Sequence, residues 1–220
     1  MKEIEDTIRY YSDRADEYDS TAGYHDKKAE KTRRAMKQRY QTILKNKDVL
    51  EIACGTGYWT KVIAETATSV LAVDVSQRMI SIAKEKHKFL KNVTFQASDA
   101  YLLENISGNF SAAFAHWWWS HIPKSRIRDF LHNLHKKLLT GSSVLFIDHL
   151  PTYFDNKIKV IKNEDGDRIE QRILSGGKTY LVIKNFLAIE EIHDYLKGLA
   201  EKIEFQKYDA YWELCYTVMK

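Results

Sequence analysis

Glu51, Gly55 and Gly57 stand close together in the run Val49-Leu-Glu-Ile-Ala-Cys-Gly-Thr-Gly-Tyr58, and Asp74 ends a second apolar run, Val70-Leu-Ala-Val73. Two glycines so near each other let the backbone turn tightly and bring its N–H groups against a ligand. An acidic side chain at the end of the next apolar run can accept hydrogen bonds from both hydroxyls of a ribose. Together these residue types point to the cradling of a nucleotide-like group. A second set lies further on. His116, His121 and His149 are of the type that moves protons near neutral pH. Trp117-Trp-Trp119 beside them supplies flat apolar surface.

The elements that must position these residues follow from the pattern around them. Val49 to Ala53 is apolar apart from Glu51 and predicts a short buried strand. Trp59 to Thr66 has helical spacing, so the glycine turn empties into a helix N-terminus. Ser76 is an N-cap for a crossover helix with Met79, Ile82 and Ala83 on one side. Val93 to Gln96 alternates as a third strand, and Ser98-Asp99-Ala100 follows it. Phe110 to Ala115 is a fourth strand, ending on His116-Trp-Trp-Trp-Ser-His-Ile-Pro123. Three consecutive tryptophans cannot all face one core from a strand. At least one is expected to line a pocket, because ligands gather outside the carboxyl ends of strands in open α/β sheets.

Ile127, Phe130, Leu131, Leu134 and Leu138 mark a helix, and Leu138-Leu-Thr-Gly141 reads as the turn before a fifth strand, Val144 to Asp148. Asp148-His149 then sit at the ligand end of that strand. Arg168 to Leu174 and Lys178 to Ile183 flank Ser175-Gly-Gly177, a hairpin signal. A last helix, Ile189 to Leu199, precedes two closing strands, Ile203 to Tyr208 and Glu213 to Met219. At the N-terminus Ile4, Ile8, Tyr11, Ala15 and Tyr18 recur at spacings of four and three, one face of a helix. Lys27 to Lys45 is a second helix with Thr32, Met36, Tyr40 and Ile43 on one face and a run of lysines and arginines elsewhere.

Composition bounds what such a chain can be. Its 220 residues suit one domain with a full core, and 44% hydrophobic with 29% charged residues are ordinary values for a globular chain. A net charge of +4 is too mild to identify a partner. Two cysteines, Cys54 and Cys215, make a disulfide framework improbable and suit a reducing compartment. No apolar run reaches membrane-spanning length. A cytoplasmic protein is expected. His132 and His135 are three apart but lie among Asp129, Lys136 and Lys137 on a polar face, so they are read as solvated and no metal is expected.

The dinucleotide-binding fingerprint wants a third glycine, but the positions after Gly57 are the bulky Tyr58, Trp59 and Thr60. The pattern instead resembles the first motif of class I S-adenosylmethionine-dependent methyltransferases, acidic-x-Gly-x-Gly-x-Gly. Glu51, Ala53, Gly55 and Gly57 fall on it, with Ala53 in place of the first glycine. Tyr10-Tyr-Ser-Asp-Arg-Ala-Asp-Glu-Tyr-Asp19 looks like the N-terminal lid segment that many members carry, and His121-Ile-Pro123 resembles a frequent histidine of the family.

What the resemblance implies is a Rossmann-like, doubly wound, seven-stranded, mostly parallel sheet with one antiparallel strand. Residues 1–220 would form a single methyltransferase domain, with lid and cap helices over 1–46 and an inserted substrate-side hairpin over 150–185. The implied cofactor is S-adenosyl-L-methionine. Asp74 would take its ribose, Asp99 its adenine amino group, and Tyr11, Arg14, Glu51, Ala53, Cys54, Gly55, Gly57, Val75, Met79, Ser98, Ala100 and His116 would complete the site. Tyr10, Trp117, Trp118, His121 and His149 are the candidate acceptor contacts. His121, His116 and His149 are the candidate bases by type and location. The expected acceptor is a small, partly apolar molecule methylated on O, N or C, because large aromatic surface suits planar or hydrocarbon groups better than polyanions. Two other readings stay open: an RNA or tRNA methyltransferase using the basic helix over 27–45, and a cofactor-binding module without turnover. Sequence leaves the oligomeric state open.

Overall fold

Short apolar runs alternating with amphipathic helices build a seven-stranded sheet in a computed structural model that describes residues 2–24, 26–151 and 158–219. The expected inserted hairpin therefore contains a stretch, 152–157, that lies outside the described residues, as do Met1 and His25 of the expected N-terminal caps. The strands of the large sheet are β1 (Asp48–Ile52), β2 (Ser69–Asp74), β3 (Val93–Ala97), β4 (Phe110–His116), β5 (Leu138–His149), β9 (Ala200–Lys207) and β10 (Tyr211–Val218). Their order is β3-β2-β1-β4-β5-β10-β9. β10 is antiparallel to both of its neighbours, so it alone runs against the rest. This is the doubly wound sheet with one antiparallel strand that the sequence implies.

A second sheet holds β6 (Val160–Lys162), β7 (Arg168–Ile173) and β8 (Thr179–Ile183), with β8 at one edge. The hairpin signal at Ser175-Gly-Gly177 is the β7–β8 turn, and β6 is a third strand that the sequence pattern did not reveal.

The helices are α1 (Lys2–Asp13), α2 (Tyr18–Thr21), α3 (Glu30–Ile43), α4 (Tyr58–Ala64), α5 (Gln77–Lys86), α6 (Ile127–His135) and α7 (Ile189–Leu196). One face of the large sheet buries Tyr40 of α3 and Leu44 just after it, Trp59 and Ile63 of α4, and Ile80 and Ala83 of α5. The other buries Phe130, Leu131 and Leu134 of α6 with Ile192 and Leu196 of α7. Apolar residues three and four apart put one stripe of each helix on the sheet, the geometry that burial rewards.

Three local expectations differ. The N-terminal stripe does not continue to Tyr18 in one helix: α1 stops at Asp13 and a 3-10 turn, Ala15–Glu17, redirects the chain into α2. Leu138 to Gly141 is not a free turn but the start of β5, bent where Gly141 takes φ 82. His135 is not solvated, because it lies 2.8 Å from the buried Tyr216 hydroxyl while His132 bonds back to the Arg128 carbonyl.

Candidate active site

β1 delivers the chain into Ala53-Cys-Gly-Thr-Gly57, and three of these residues have left-handed backbone: Ala53 (φ 54), Gly55 (φ 56) and Gly57 (φ 82). Ala53 thus keeps the conformation of the glycine it replaces, at a cost of about 1 kcal/mol. Gly55 donates its N–H to Asp74 Oδ2 at 2.9 Å, and Ser76 donates its N–H to Asp74 Oδ1 at 2.9 Å. One carboxylate therefore ties the glycine turn to the start of α5, where Ser76 also caps the Met79 N–H at 3.3 Å. Gly57 has a different task. A Cβ there would fall 2.7 Å from His87 Cδ2, so its lack of a side chain permits packing behind the turn.

Outside this turn lies a cavity whose floor is Ala53, Gly55, Asp74, Val75, Ser76, Met79, Asp99, Ala100 and Tyr101. Ile4, Thr7, Ile8 and Tyr11 of α1 with Tyr18 cover it, and His116, Trp117, Trp118 and His121 close its side. Nine of the expected cofactor residues meet here: Tyr11, Ala53, Gly55, Asp74, Val75, Met79, Asp99, Ala100 and His116. Cys54, Gly57 and Ser98 do not line the cavity. Cys54 and Ser98 spend their N–H groups on the carbonyls of Val73 and Asp74 at 3.0 Å each. Arg14 also lies elsewhere, donating to Thr21 Oγ1 at 3.0 and 2.7 Å over the Tyr18 ring.

Glu51 sits buried beneath the turn, with its Oε2 lacking any hydrogen-bond partner. Burial pushes its carboxyl up to about 8, with the Thr60 hydroxyl pulling the other way. Asp74 is likewise raised by burial, against the lowering effect of its two backbone donors.

A second cavity, of about 400 Å³, shares Tyr11, Tyr18, Trp117 and His121 with the first. Its other lining residues are Tyr10, Arg14, Thr21, Ala22, His149, Ile158, Gln171, Arg172, Ile173 and Lys184. Three cations and no carboxylate stand among these described residues, beside the aromatic rings of Tyr10, Tyr11, Tyr18 and Trp117. Each of two cations is held by a fully buried acid. Arg172 donates to Glu170 Oε2 at 2.9 and 2.6 Å, and Glu170 also pairs with Arg168. Lys184, itself buried, donates to Ser120 Oγ at 2.6 Å and to Asp148 Oδ1 at 3.2 Å.

Asp148 further accepts the N–H of Ser120 at 2.8 Å, the Ser120 hydroxyl at 3.0 Å and the N–H of His149 at 2.7 Å. Burial alone would raise this carboxyl, but Lys184 beside it holds it well below the usual range. Burial lowers the Lys184 ammonium, and Asp148 opposes that by stabilising the charge.

The three histidines differ in surroundings. His121 Nδ1 is 2.6 Å from the Ile183 carbonyl, which can only accept, so Nδ1 carries the proton. Its Nε2 is then the acceptor for the Tyr11 hydroxyl at 2.8 Å. Burial, with Lys184 and Arg172 nearby, holds His121 well below its ordinary pKa, so it is neutral. His116 is held neutral by burial and by His149, its two ring nitrogens buried without partners between Trp59 and Trp117, each 4.5 Å away. Burial lowers His149 to about 4, and its ring stacks on Trp117 at 4.3 Å.

The tryptophan run separates as the alternation argument requires, by a route the sequence did not show. The strand ends at His116, and Trp117 turns at φ 60 to stand between the two cavities. Trp118 lines only the first cavity, 4.6 Å from Phe130 and beside Tyr101. Trp119 is in the core at 2% exposure.

Sequence reasoning also missed Arg172, Lys184, Tyr18 and Tyr101. A signal for the first existed: Arg168, Glu170 and Arg172 alternate with apolar and polar neighbours and so share one face of β7. On α3, by contrast, several cations have protein partners: Arg33 binds the Gly23 and Asp26 carbonyls, Lys37 pairs with Glu65 and Arg39 with Glu213. Among the described residues no group of three or more His, Cys, Asp or Glu is placed to hold a metal, and no helix is long and apolar enough to cross a membrane.

Residues 49–141 match the family model described as a methyltransferase domain. Phosphoethanolamine N-methyltransferase 1 of Caenorhabditis elegans is 30% identical over 123 residues, 56% of this chain and 26% of that protein. A demethylmenaquinone methyltransferase of Tropheryma whipplei is 32% identical over 60 residues, 27% of this chain and 25% of its own. The matched stretch thus spans about a quarter of these curated relatives. The solved structure described as the DhpI-SAM-HEP complex superposes with a TM-score of 0.79 at 25% identity, covering 98% of each chain. The PH0226 protein of Pyrococcus horikoshii OT3 shares the fold at TM-score 0.72 and 18% identity, over 92% of this chain and 98% of that one. Residues 49–141 thus match a methyltransferase domain, and the chain as a whole shares its fold with solved S-adenosylmethionine-dependent methyltransferases.

Proposed function

We propose that this protein transfers the methyl group to an anionic oxygen of a small acceptor, a carboxylate or a phosphate-type oxyanion. The observation that carries the reading is the cationic second cavity and its meeting with the first at Tyr11, Tyr18, Trp117 and His121. Arg172 reaches that junction, its Nη1 donating toward the Tyr11 hydroxyl oxygen at 3.5 Å. An anion held by Arg172 and Lys184 therefore lies beside the shared wall rather than at the far end of the cavity. The phosphoethanolamine N-methyltransferase among the relatives bears, by its name, on an acceptor that carries a phosphate and is methylated on nitrogen, so it supports the anion site and not the oxygen.

The chain's residues fit the cofactor. A buried Glu51 carboxylate with an unpartnered oxygen suits the ammonium of an amino-acid tail, and a backbone without a side chain at Gly55 leaves the cavity open opposite Tyr18. In this reading Asp74 takes the ribose hydroxyls, Asp99 and the Ala100 backbone take the adenine, and Val75 and Met79 pack on its ring. Bound S-adenosylmethionine supplies an electron-poor methyl carbon on a sulfonium.

The protein's own task is then orientation. Holding a nucleophile in line removes translational and rotational freedom and is worth about 7–11 kcal/mol in well-oriented systems. A carboxylate or phosphate oxygen is already deprotonated at neutral pH, so no base is required of the chain. His121 is accordingly a positioning residue: its one free lone pair is spent on Tyr11, and it fixes where that hydroxyl stands. His116 and His149 support Trp117 from its two sides and take no proton from the acceptor. Arg33, Lys37 and Arg39 of the basic helix turn to protein partners, and this reading places the acceptor at the second cavity instead.

The test is turnover of S-adenosylmethionine against a panel of small carboxylates, phosphate monoesters, phosphonates and amines, read as S-adenosylhomocysteine formed. Methyl ester formation on an oxyanion is expected. Turnover with amines alone, methylated on nitrogen, would refute the assignment.

A further inference from the structure

α1 is both a wall of the first cavity and a fastening of the second sheet. β8 is an edge strand, so every second N–H along it points away from its partner β7. Two of these outward donors, two residues apart, are taken by α1. Ile183 N–H donates to Thr7 Oγ1 at 3.0 Å, and Leu181 N–H reaches Asp6 Oδ2 at 3.4 Å. A helix here does for the edge what a fourth strand would do.

Around these bonds Tyr10 packs edge-on against Tyr180 at 5.6 Å and joins a small buried cluster with Tyr180 and Val182. At the end of the helix Asp13 Oδ2 accepts from Lys178 Nζ at 2.6 Å and from the Tyr180 hydroxyl at 2.5 Å. Ile4, Thr7, Ile8 and Tyr11 of the same helix line the first cavity, so Thr7 touches both the cavity and β8. The strands it grips carry the second cavity's cations, Arg172 on β7 and Lys184 directly after β8.

We propose that α1 and the second sheet act as one unit, so that occupation of the first cavity fixes the second, with Asp6 and Asp13 as the positioning residues of this coupling. The inference rests on the cofactor assignment for the first cavity and on no particular acceptor. A ligand that holds α1 down holds β8 through it. By linkage the effect is reciprocal: whatever binds at Arg172 and Lys184 tightens the hold on the cofactor by the same factor.

Hydrogen exchange of the full chain, with S-adenosylhomocysteine as the only added ligand, tests this. Calorimetry first measures its affinity. The Leu181 and Ile183 amides, which lie outside the first cavity, should then exchange about ten-fold more slowly in its presence. In Asp6→Ala and in Asp13→Asn, both outside the first cavity, that protection should shrink to about two-fold or less, while S-adenosylhomocysteine still binds. A merely structural role for Asp6 would raise β8 exchange equally with and without the ligand. Protection around Gly55 and Met79 with Leu181 and Ile183 unchanged would overturn the coupling alone. No binding of S-adenosylhomocysteine would overturn the cofactor assignment and the coupling with it.

Discussion

The Tyr11 hydroxyl gives its proton to His121 Nε2 across 2.8 Å, and the Ile183 carbonyl decides that direction by claiming the Nδ1 proton at 2.6 Å. A residue of α1, one from the turn after β4 and one from β8 thereby meet at the wall between the two cavities. The imidazole is buried and neutral, so it has no proton to give and no lone pair left with which to take one.

It follows that turnover carries no histidine ionisation. With a carboxylate acceptor, ionised throughout, kcat should be flat between about pH 6 and 9, because His121 stays neutral over that range. Tyr11→Phe should lower kcat about ten-fold by freeing both His121 and Arg172 from their shared partner. A bell-shaped profile with a limb near pH 6.5, lost in His121→Asn, would instead make His121 a base.

Stability should fall at both ends of the pH scale for opposite reasons. His149 and His135 are each lowered by burial to about 4, so the unfolded chain binds more protons than the native one below about pH 6.5. Their contribution is present above that value and is lost as pH falls toward 4. Glu51 is the reverse case. Its carboxyl is raised to about 8 by burial, so its contribution is complete below about pH 4.3 and is lost as pH rises through 8. Glu51→Gln removes that alkaline loss. Its melting temperature at pH 8.5 should exceed that of the parent, at about 2–4 °C for each kcal/mol recovered. The same variant should bind S-adenosylhomocysteine more weakly. Equal melting temperatures at pH 8.5 would mean that burial does not raise the Glu51 carboxyl above its unfolded value.

The glycine turn separates two kinds of glycine. Gly57→Ala places a Cβ 2.7 Å from His87 and at φ 82, so it should destabilise the fold by about 2 kcal/mol or more. Ala53→Gly relaxes a left-handed alanine and should stabilise it by about 0.5–1 kcal/mol. Urea denaturation of both variants checks the pair. A stabilised Gly57→Ala would show that the turn is free to move away from His87.

The sequence disclosed what short-range chemistry dictates and hid what packing decides. Glu51 to Gly57, Ser76 and Asp74 were legible because turn, cap and strand end are each set within a few residues. The Ser175-Gly-Gly177 turn was legible for the same reason. Arg172 and Lys184 were visible as strand residues, but their meeting with His121 depends on how the second sheet docks on α1 and the turn after β4. No periodicity within β7 or β8 tells which face will meet a cavity. Trp117 and Trp118 part company through a single left-handed backbone step, φ 60, at a residue type that gives no sign of it. The end of α1 at Asp13 lacks a glycine or proline, so the apolar stripe reads on past the true stop.

Arg172 gives the sharpest test of the acceptor site. Its guanidinium is fixed by two bonds to the fully buried Glu170, and it lines the second cavity but not the first. Arg172→Gln keeps a donor of similar length and removes the charge, leaving Arg168 to hold Glu170. A charge-assisted hydrogen bond is worth about 1.5–3 kcal/mol, so KM for an oxyanion acceptor should rise about 10- to 100-fold. Affinity for S-adenosylhomocysteine should stay close to that of the parent when no anion is present. Lys184→Met is a poorer probe, because it strands the buried Asp148 without its cation and should cost about 3–5 kcal/mol of stability. The measurement is steady-state kinetics of Arg172→Gln at several acceptor concentrations, with calorimetry for the cofactor product. An unchanged KM alongside a lost affinity for S-adenosylhomocysteine would place Arg172 with the cofactor and leave the second cavity without its anion.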